Sequence, residues 1–331
     1  MQVSVFGTGI QTTALGYGCA SLMGRLSKRE SRRILDAAFD GGIRHFDTAP
    51  LYGYGESEAL LGDFMKGRRD RITVATKFGI RPPKRSVALA AAKSAARAVV
   101  AAFPQLRRPI RRRAEQLTQT ACFTAGECIQ SLHNSLRELR TDYIDMFLMH
   151  EIAPEQITPE LVGTLEDAQR QGLIRAYGTA TTSQNTISIR SRELPSGQLA
   201  QFPNSIFENI LDRFPNRNAT GIITHSPLGA GFKALAGDLA SNSELRASWS
   251  RDLGFDCSDL PSLGVLFLQA AMEENSGGIV LFSSVNEQHI RRNAALMDDR
   301  RYSDRQLRSA KWLALELPGR TSALEMGLAA Q

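Results

Sequence analysis

The chain has 331 residues, of which 42% are hydrophobic and 22% charged, and its formal net charge is +6. That composition supports a large apolar core and excludes a disordered polyelectrolyte, and no apolar run reaches the roughly 20 residues that a membrane-spanning helix needs. The basicity is local: Arg71–Ala114 carries twelve Lys or Arg and no acid, so the remaining chain, with 28 basic and 34 acidic residues, is net acidic.

In chain order, residues 1–13 read as a hairpin turning at Gly7-Thr8-Gly9. Their opening, MQVSVFGTGIQ, has no basic n-region and no long apolar stretch, so no signal peptide is expected. Short apolar strands follow at Leu15–Gly18, Arg44–Asp47, Ile72–Lys77, Ile144–His150, Ala176–Thr179, Leu199–Gln201, Ile222–Thr224 and Gly278–Phe282. A helical pattern follows nearly every one. Ser27-x-x-Glu30 and Thr124-x-x-Glu127 read as capping boxes. Thr158-Pro159 reads as an N-cap followed by proline at the first helical position, and a last helix covers about Asp304–Leu315. Eight strand–helix units in order predict a parallel sheet, and eight is the number that closes a barrel. The expected fold class is therefore α/β: a (β/α)8 TIM barrel with an N-terminal hairpin, forming one domain over 1–331.

Two stretches are longer than barrel connections should be, about 80–122 and about 225–261. Both follow strand C-termini, on the face where barrels place active sites, and long segments there act as lids or substrate walls. The first is a basic, Ala/Arg-rich insertion ending in RRPIRRR. It reads as a solvated helical excursion, or as a lid attracting an acidic substrate. Cys19, Cys122, Cys128 and Cys257 show no CxxC and no paired spacing. They read as reduced thiols of a cytoplasmic protein, with no metal site.

The strand ends carry the chemistry. Asp47, Lys77 and His150 end the second, third and fourth strands, and Tyr52 lies five residues past Asp47. In a barrel these side chains converge at one mouth. A carbonyl accepting hydride needs a proton as charge builds on its oxygen. A tyrosine can give it, although a phenol pKa of about 10 is high for exchange near neutrality. A neighbouring ammonium favours phenolate, a carboxylate holds the ammonium, and an imidazole can donate to the carbonyl oxygen.

These segments resemble the aldo-keto reductase superfamily over almost the whole chain. The motif DTAPLYGYGESE carries the likeness most strongly, with FGTGIQTTALGYG, ITVATKFG, LRTDYIDMFLMH, GLIRAYGTA, QFPNSIF, HSPLGAG and SSVNEQHIRRN in order around it. The wording is nearest to the sugar 1-dehydrogenase branch and related pyridoxal dehydrogenases. The resemblance implies a catalytic tetrad of Asp47, Tyr52, Lys77 and His150, and a small-molecule carbonyl or alcohol substrate: an aldehyde, ketone or aldose. It also implies NADP or NAD bound across the mouth. Gly18 would lie beside the reactive ring, Thr181 and Gln201 at the carboxamide, and His225 against the nicotinamide face. Ser226, Leu228 and Gly229 would form the pyrophosphate loop; Ser283, Ser284, His289 and Asn293 would line the adenosine end. The family leans towards NADPH. Here Ser283 and His289 stand where basic residues often hold the 2′-phosphate, which weakens that preference, and Ala180-Thr181 replaces the usual Ser-Asn pair.

Three other readings compete. Gly7-x-Gly9-x-x-Thr12 mimics a dinucleotide-binding fingerprint, but TTALGYGCA is poor material for the helix that should follow. A barrel keeping the fold as a non-catalytic regulatory or binding subunit is a second. Phosphate binding by the basic segment 81–113 is a third; with Phe103 its one aromatic, base stacking is not expected, nor is a nucleic-acid partner. His45, among apolar neighbours, reads as a satisfied interior or interface residue.

Overall fold

The computed structural model describes residues 1–82, 121–215 and 217–316. Strands β1 (Gln2–Val5) and β2 (Ile10–Thr13) form an antiparallel hairpin with Gln2 opposite Thr13. Gly7 and Gly9 both take positive φ in the turn, so the glycines serve a hairpin and not a dinucleotide loop. The fingerprint reading is thereby excluded.

The barrel is built from β3 (Leu15–Gly18), β4 (His45–Asp47), β5 (Thr73–Phe78), β6 (Ile144–His150), β7 (Ile174–Ala180), β8 (Leu199–Pro203), β9 (Gly221–His225) and β10 (Ile279–Phe282). They pair in parallel in chain order, and β10 returns to β3 with Val280 opposite Leu15. Closure removes every sheet edge. The eight predicted strands are all present, with bounds shifted by at most two residues. β5 and β6 are buried along their full length, Lys77, Asp145 and His150 included, which is why they read as largely apolar segments with isolated polar residues. The hairpin covers the end where the strands begin. Thr12 bonds Thr73 at 2.6 Å, and Arg175 donates to the Gly9 carbonyl.

Helix starts follow the sequence closely. α1 (Lys28–Asp40) has the full reciprocal box: the Glu30 amide donates to Ser27 Oγ and the Ser27 amide to Glu30 Oε2. The second box is half made. Thr124 caps the helix Ala125–Leu139, yet the Glu127 carboxylate turns to Arg81, whose Nε donates at 2.9 Å. A guanidinium offers the carboxylate two bonds from a charged donor, where the cap amide offers one from a neutral donor. Thr158 caps Pro159–Arg170 as expected, at about 1 kcal/mol for such a cap. The stretch after β9 is largely helical and not a long loop: Gly229–Ser241 and Ser243–Leu253 occupy most of it. The last helix spans Asp304–Glu316. Of the insertion about 80–122, residues 83–120 lie outside the described residues, and so does the choice between solvated excursion and lid.

Candidate active site

Strand register explains why residues far apart in sequence share one mouth. Asp47 is the partner of Ala75, and Lys77 stands two residues further along β5. Lys77 is the partner of Leu148, and His150 stands two residues further along β6. A step of two keeps a side chain on the same face of a strand, so Asp47, Lys77 and His150 all point into the barrel mouth while climbing with its stagger. Tyr52 follows on the short 3-10 turn Tyr52–Tyr54.

The ammonium of Lys77 is fully enclosed. It donates to Asp47 Oδ1 at 2.6 Å, to the Thr48 carbonyl at 3.0 Å and to the Tyr52 hydroxyl at 3.4 Å. Three acceptors match its three protons. Asp47 and Lys77 are only 3% and 2% exposed. Burial opposes the Lys77 charge, but Asp47 and Tyr52 outweigh it and leave the ammonium harder to deprotonate than usual. Burial pushes the Tyr52 phenol up, with Lys77 pulling against it. The net shift is upward, opposite to what the pairing alone predicts, because desolvation of a phenolate exceeds the help of one ammonium already shared with a carboxylate. The His150 ring meets Tyr52 edge-on, centroids 6.0 Å apart. Burial, Lys77 and His225 push His150 down to about 3. Burial also pushes His225 down to about 4, with Lys77 assisting and Asp47 opposing. Both imidazoles are therefore neutral near pH 7.

The remaining predicted contacts divide. Gln201 Nε2 donates to Asp47 Oδ2 at 2.9 Å, which sequence reasoning did not anticipate, and Gln201 Oε1 is buried without a partner. The Thr181 hydroxyl donates to the Ile152 carbonyl at 3.0 Å and accepts from Asn185 at 3.3 Å. His225 ends β9 half-buried, its Nδ1 3.0 Å from Ser226 Oγ. Ser226 (φ 59°) and Gly229 (φ 53°) bend the chain into Gly229–Ser241. Leu228 is the residue before that helix and makes no side-chain cap, so the amides of the first turn have no partner within the helix. Ser283 lies 3.3 Å from Ser21, and Ser284 accepts from the Asn286 amide. His289 is exposed and Asn293 half-buried on Glu287–Ala294. A Cβ at Gly18 would touch the Phe282 carbonyl oxygen at 3.7 Å and Ser283 Cβ at 3.9 Å, ordinary contacts that do not by themselves demand glycine. The orphaned Gln201 acceptor and the bent loop before the Gly229–Ser241 helix both fit a bound dinucleotide.

His45 corrects one expectation. It is fully buried, with Nδ1 3.1 Å from Thr73 Oγ1, but Nε2 has no partner among the described residues. No helix among the described residues is long and apolar enough to cross a membrane.

Known proteins match along the chain. A probable aldo-keto reductase 1 from Glycine max is 27% identical over 251 residues, 72% of this chain and 63% of that one. A D-threo-aldose 1-dehydrogenase from a Pseudomonas species is 28% identical over 242 residues, covering 68% and 69%. A pyridoxal 4-dehydrogenase from Microbacterium luteolum is 45% identical over 75 residues, 22% of each chain. The matched segment thus spans less than two thirds of the Glycine max protein and about a fifth of the Microbacterium one. The holo form of an aldo-keto reductase from Bacillus halodurans superposes with TM-score 0.67 at 19% identity, covering 96% of this chain and 97% of that one. A glycerol dehydrogenase from Gluconobacter oxydans gives TM-score 0.67 at 17% identity, with 94% of each covered. At such identities the likeness is one of fold. The model of the aldo/keto reductase family matches residues 14–312, and with that extent the chain belongs to the family.

Proposed function

We propose that this chain, as one barrel domain over 1–331, interconverts a small-molecule carbonyl and its alcohol with a nicotinamide dinucleotide, NAD or NADP. The observation that carries the proposal is the buried Asp47–Lys77 pair with the Tyr52 hydroxyl 3.4 Å from the ammonium. When bound, the dinucleotide supplies or accepts the reducing equivalent. Tyr52 gives a proton to the carbonyl oxygen in reduction and takes it from the alcohol in oxidation. Its raised pKa keeps the phenol protonated at rest, as an acid must be. Lys77 then stabilises the phenolate that the transfer leaves. Asp47 fixes Lys77 through one oxygen, and Gln201 fixes Asp47 through the other. Neutral His150 has one N–H to donate to the substrate oxygen.

Gln201 Oε1 would accept from the cofactor's carboxamide. Ser226, Leu228 and Gly229 would hold its pyrophosphate, His225 would cover the nicotinamide face, and Gly18 would lie beside it. Ser283, Ser284, His289 and Asn293 would line the adenosine end. Ser283 brings no charge for a 2′-phosphate, so either cofactor form is taken. Thr181 would lie at the carboxamide with its hydroxyl already bonded to the Ile152 carbonyl.

The test is Tyr52→Phe. Loss of the acid should lower kcat by about 10²–10⁴-fold. Cofactor Kd, read by quenching of intrinsic fluorescence with NADH and NADPH, should change less than about 3-fold, since no uniform binding is removed. Turnover retained in the variant would sink the assignment. Cofactor binding by the native chain without turnover of any carbonyl would favour the regulatory-barrel reading instead.

A further inference from the structure

The barrel gathers charge at the end opposite the mouth as well. Arg44 stands just before β4, Arg71 two residues before β5, and Arg175 second in β7. With Arg69 they line an open cleft of about 370 Å³ where the strands begin, and the hairpin adds Gln2 and Gln11 to its wall. The far ends of β4 and β5 carry Asp47 and Lys77, so the length of the strands separates this cleft from the catalytic mouth.

Two of the four guanidiniums are committed to an acid. Asp145, 1% exposed, accepts from Arg69 Nη2, from Arg175 Nη1 and from the Val74 amide, each at 2.9 Å. The other two have no such partner. Arg44 gives Nη1 to the Phe39 and Ile43 carbonyls at 2.6 and 2.9 Å, and among the described residues its Nε and Nη2 meet no acceptor. The Arg71 side chain makes no hydrogen bond or ion pair among the described residues. Asp70 also lines the cleft, yet no ion pair joins it to either guanidinium. Instead Arg44 and Arg71 lie over the Phe39 ring, 4.1 and 4.9 Å from its centroid. Arg68, 5.4 Å from the same centroid, differs in having Asp36 3.7 Å away. Burial acts against the Arg44 cation, the Arg71 charge adds to that, and Asp40 offsets them only in part.

An aromatic face gathers cations but neutralises none of them. Two guanidiniums lining one cleft without an acid leave a positive potential that an anion would lower. Each planar fork presents N–H groups spaced for two oxygens of a phosphate. A single negative charge would leave one fork uncompensated, and a dianion answers both. We infer that the end of the barrel where the strands begin holds an anion-binding site, in which Arg44 and Arg71 take a phosphate-type dianion, either the free ion or the phosphate group of a small molecule. The inference does not depend on the oxidoreductase reading.

The test is thermal unfolding of the full chain in inorganic phosphate, in glycerol 3-phosphate and in sodium chloride of matched ionic strength, each with and without saturating NADPH. A ligand that binds only the folded state raises Tm, and a site of Kd about 1 mM in about 20 mM phosphate raises it by about 2–3 °C for a chain of this length. Arg71 is exposed and bonds no acceptor among the described residues, so Arg71→Gln should fold and should cut the rise to below about 0.5 °C. A larger rise with glycerol 3-phosphate assigns the site to phosphate esters, and an equal rise assigns it to the free ion. The inference is overturned if chloride gives the same rise, if Arg71→Gln responds to phosphate as the native chain does, or if NADPH abolishes the phosphate effect, which would put the ion at the cofactor's pyrophosphate loop.

Discussion

Removing the Lys77 ammonium should weaken the fold as well as the chemistry. At 2.6 Å and an effective dielectric constant of about 20, the attraction between Lys77 and Asp47 is about 6 kcal/mol. Desolvation of both groups offsets much of it, so the pair as a whole contributes little net stability. Breaking it is another matter. Lys77→Met leaves the Asp47 carboxylate 3% exposed, with the Gln201 amide as its surviving side-chain donor. An uncompensated buried charge costs about 3–5 kcal/mol, and the remaining Gln201 bond places this case near the lower bound. With an unfolding entropy of about 2.1 cal/mol/K per residue over 331 residues, a loss of about 3 kcal/mol lowers Tm by about 4 °C. Asp47→Asn in the same chain removes the stranded charge and should restore at least about half of the loss. The assay is thermal unfolding of the native chain, both single variants and the double, without cofactor. The reasoning fails if Lys77→Met melts within about 1 °C of the native chain, or if the double variant is no more stable than Lys77→Met.

Other consequences concern the frame. His45 is pushed by burial down to about 4, so it stays neutral in the fold while an unfolded imidazole titrates near 6.5. The unfolded state then binds more protons below pH 6.5, and stability falls as the pH drops from about 6.5 towards 4, by about 2 kcal/mol at pH 5 from this group alone. His45→Gln should reduce the loss of Tm between pH 7.5 and pH 5, and an identical loss in both proteins would refute the attribution. Gly178 and Gly163 should respond oppositely to alanine. A Cβ at Gly178 would lie 2.1 Å from the Leu199 carbonyl oxygen, a backbone atom of the paired strand β8, so Gly178→Ala should abolish soluble folded protein or cost more than about 3 kcal/mol. Gly163, inside Pro159–Arg170, has nothing within 4 Å, and Gly163→Ala should raise stability by about 0.5–1 kcal/mol in urea unfolding.

The barrel was legible because its strands are buried on both faces and its helices announce their first turns. β6, with every residue from Ile144 to His150 buried, can be read from hydrophobicity alone, and Ser27 with Glu30 marks α1 through purely local chemistry. The tetrad was legible at one remove, since Asp47, Lys77 and His150 meet only after register and stagger are known. Where reading failed, a side chain had two partners available and sequence could not rank them. Glu127 could close its own cap or take Arg81, and the guanidinium won. Thr181 could offer its hydroxyl to a cofactor or to the Ile152 carbonyl, and the carbonyl won. Gln201 could offer both ends of its amide outward, yet its donor is fixed on Asp47 and only its acceptor is free. The residues missed are therefore those whose placement is decided by long-range competition for hydrogen bonds. In a scaffold whose fold says little about its substrate, such residues are where one member differs from another.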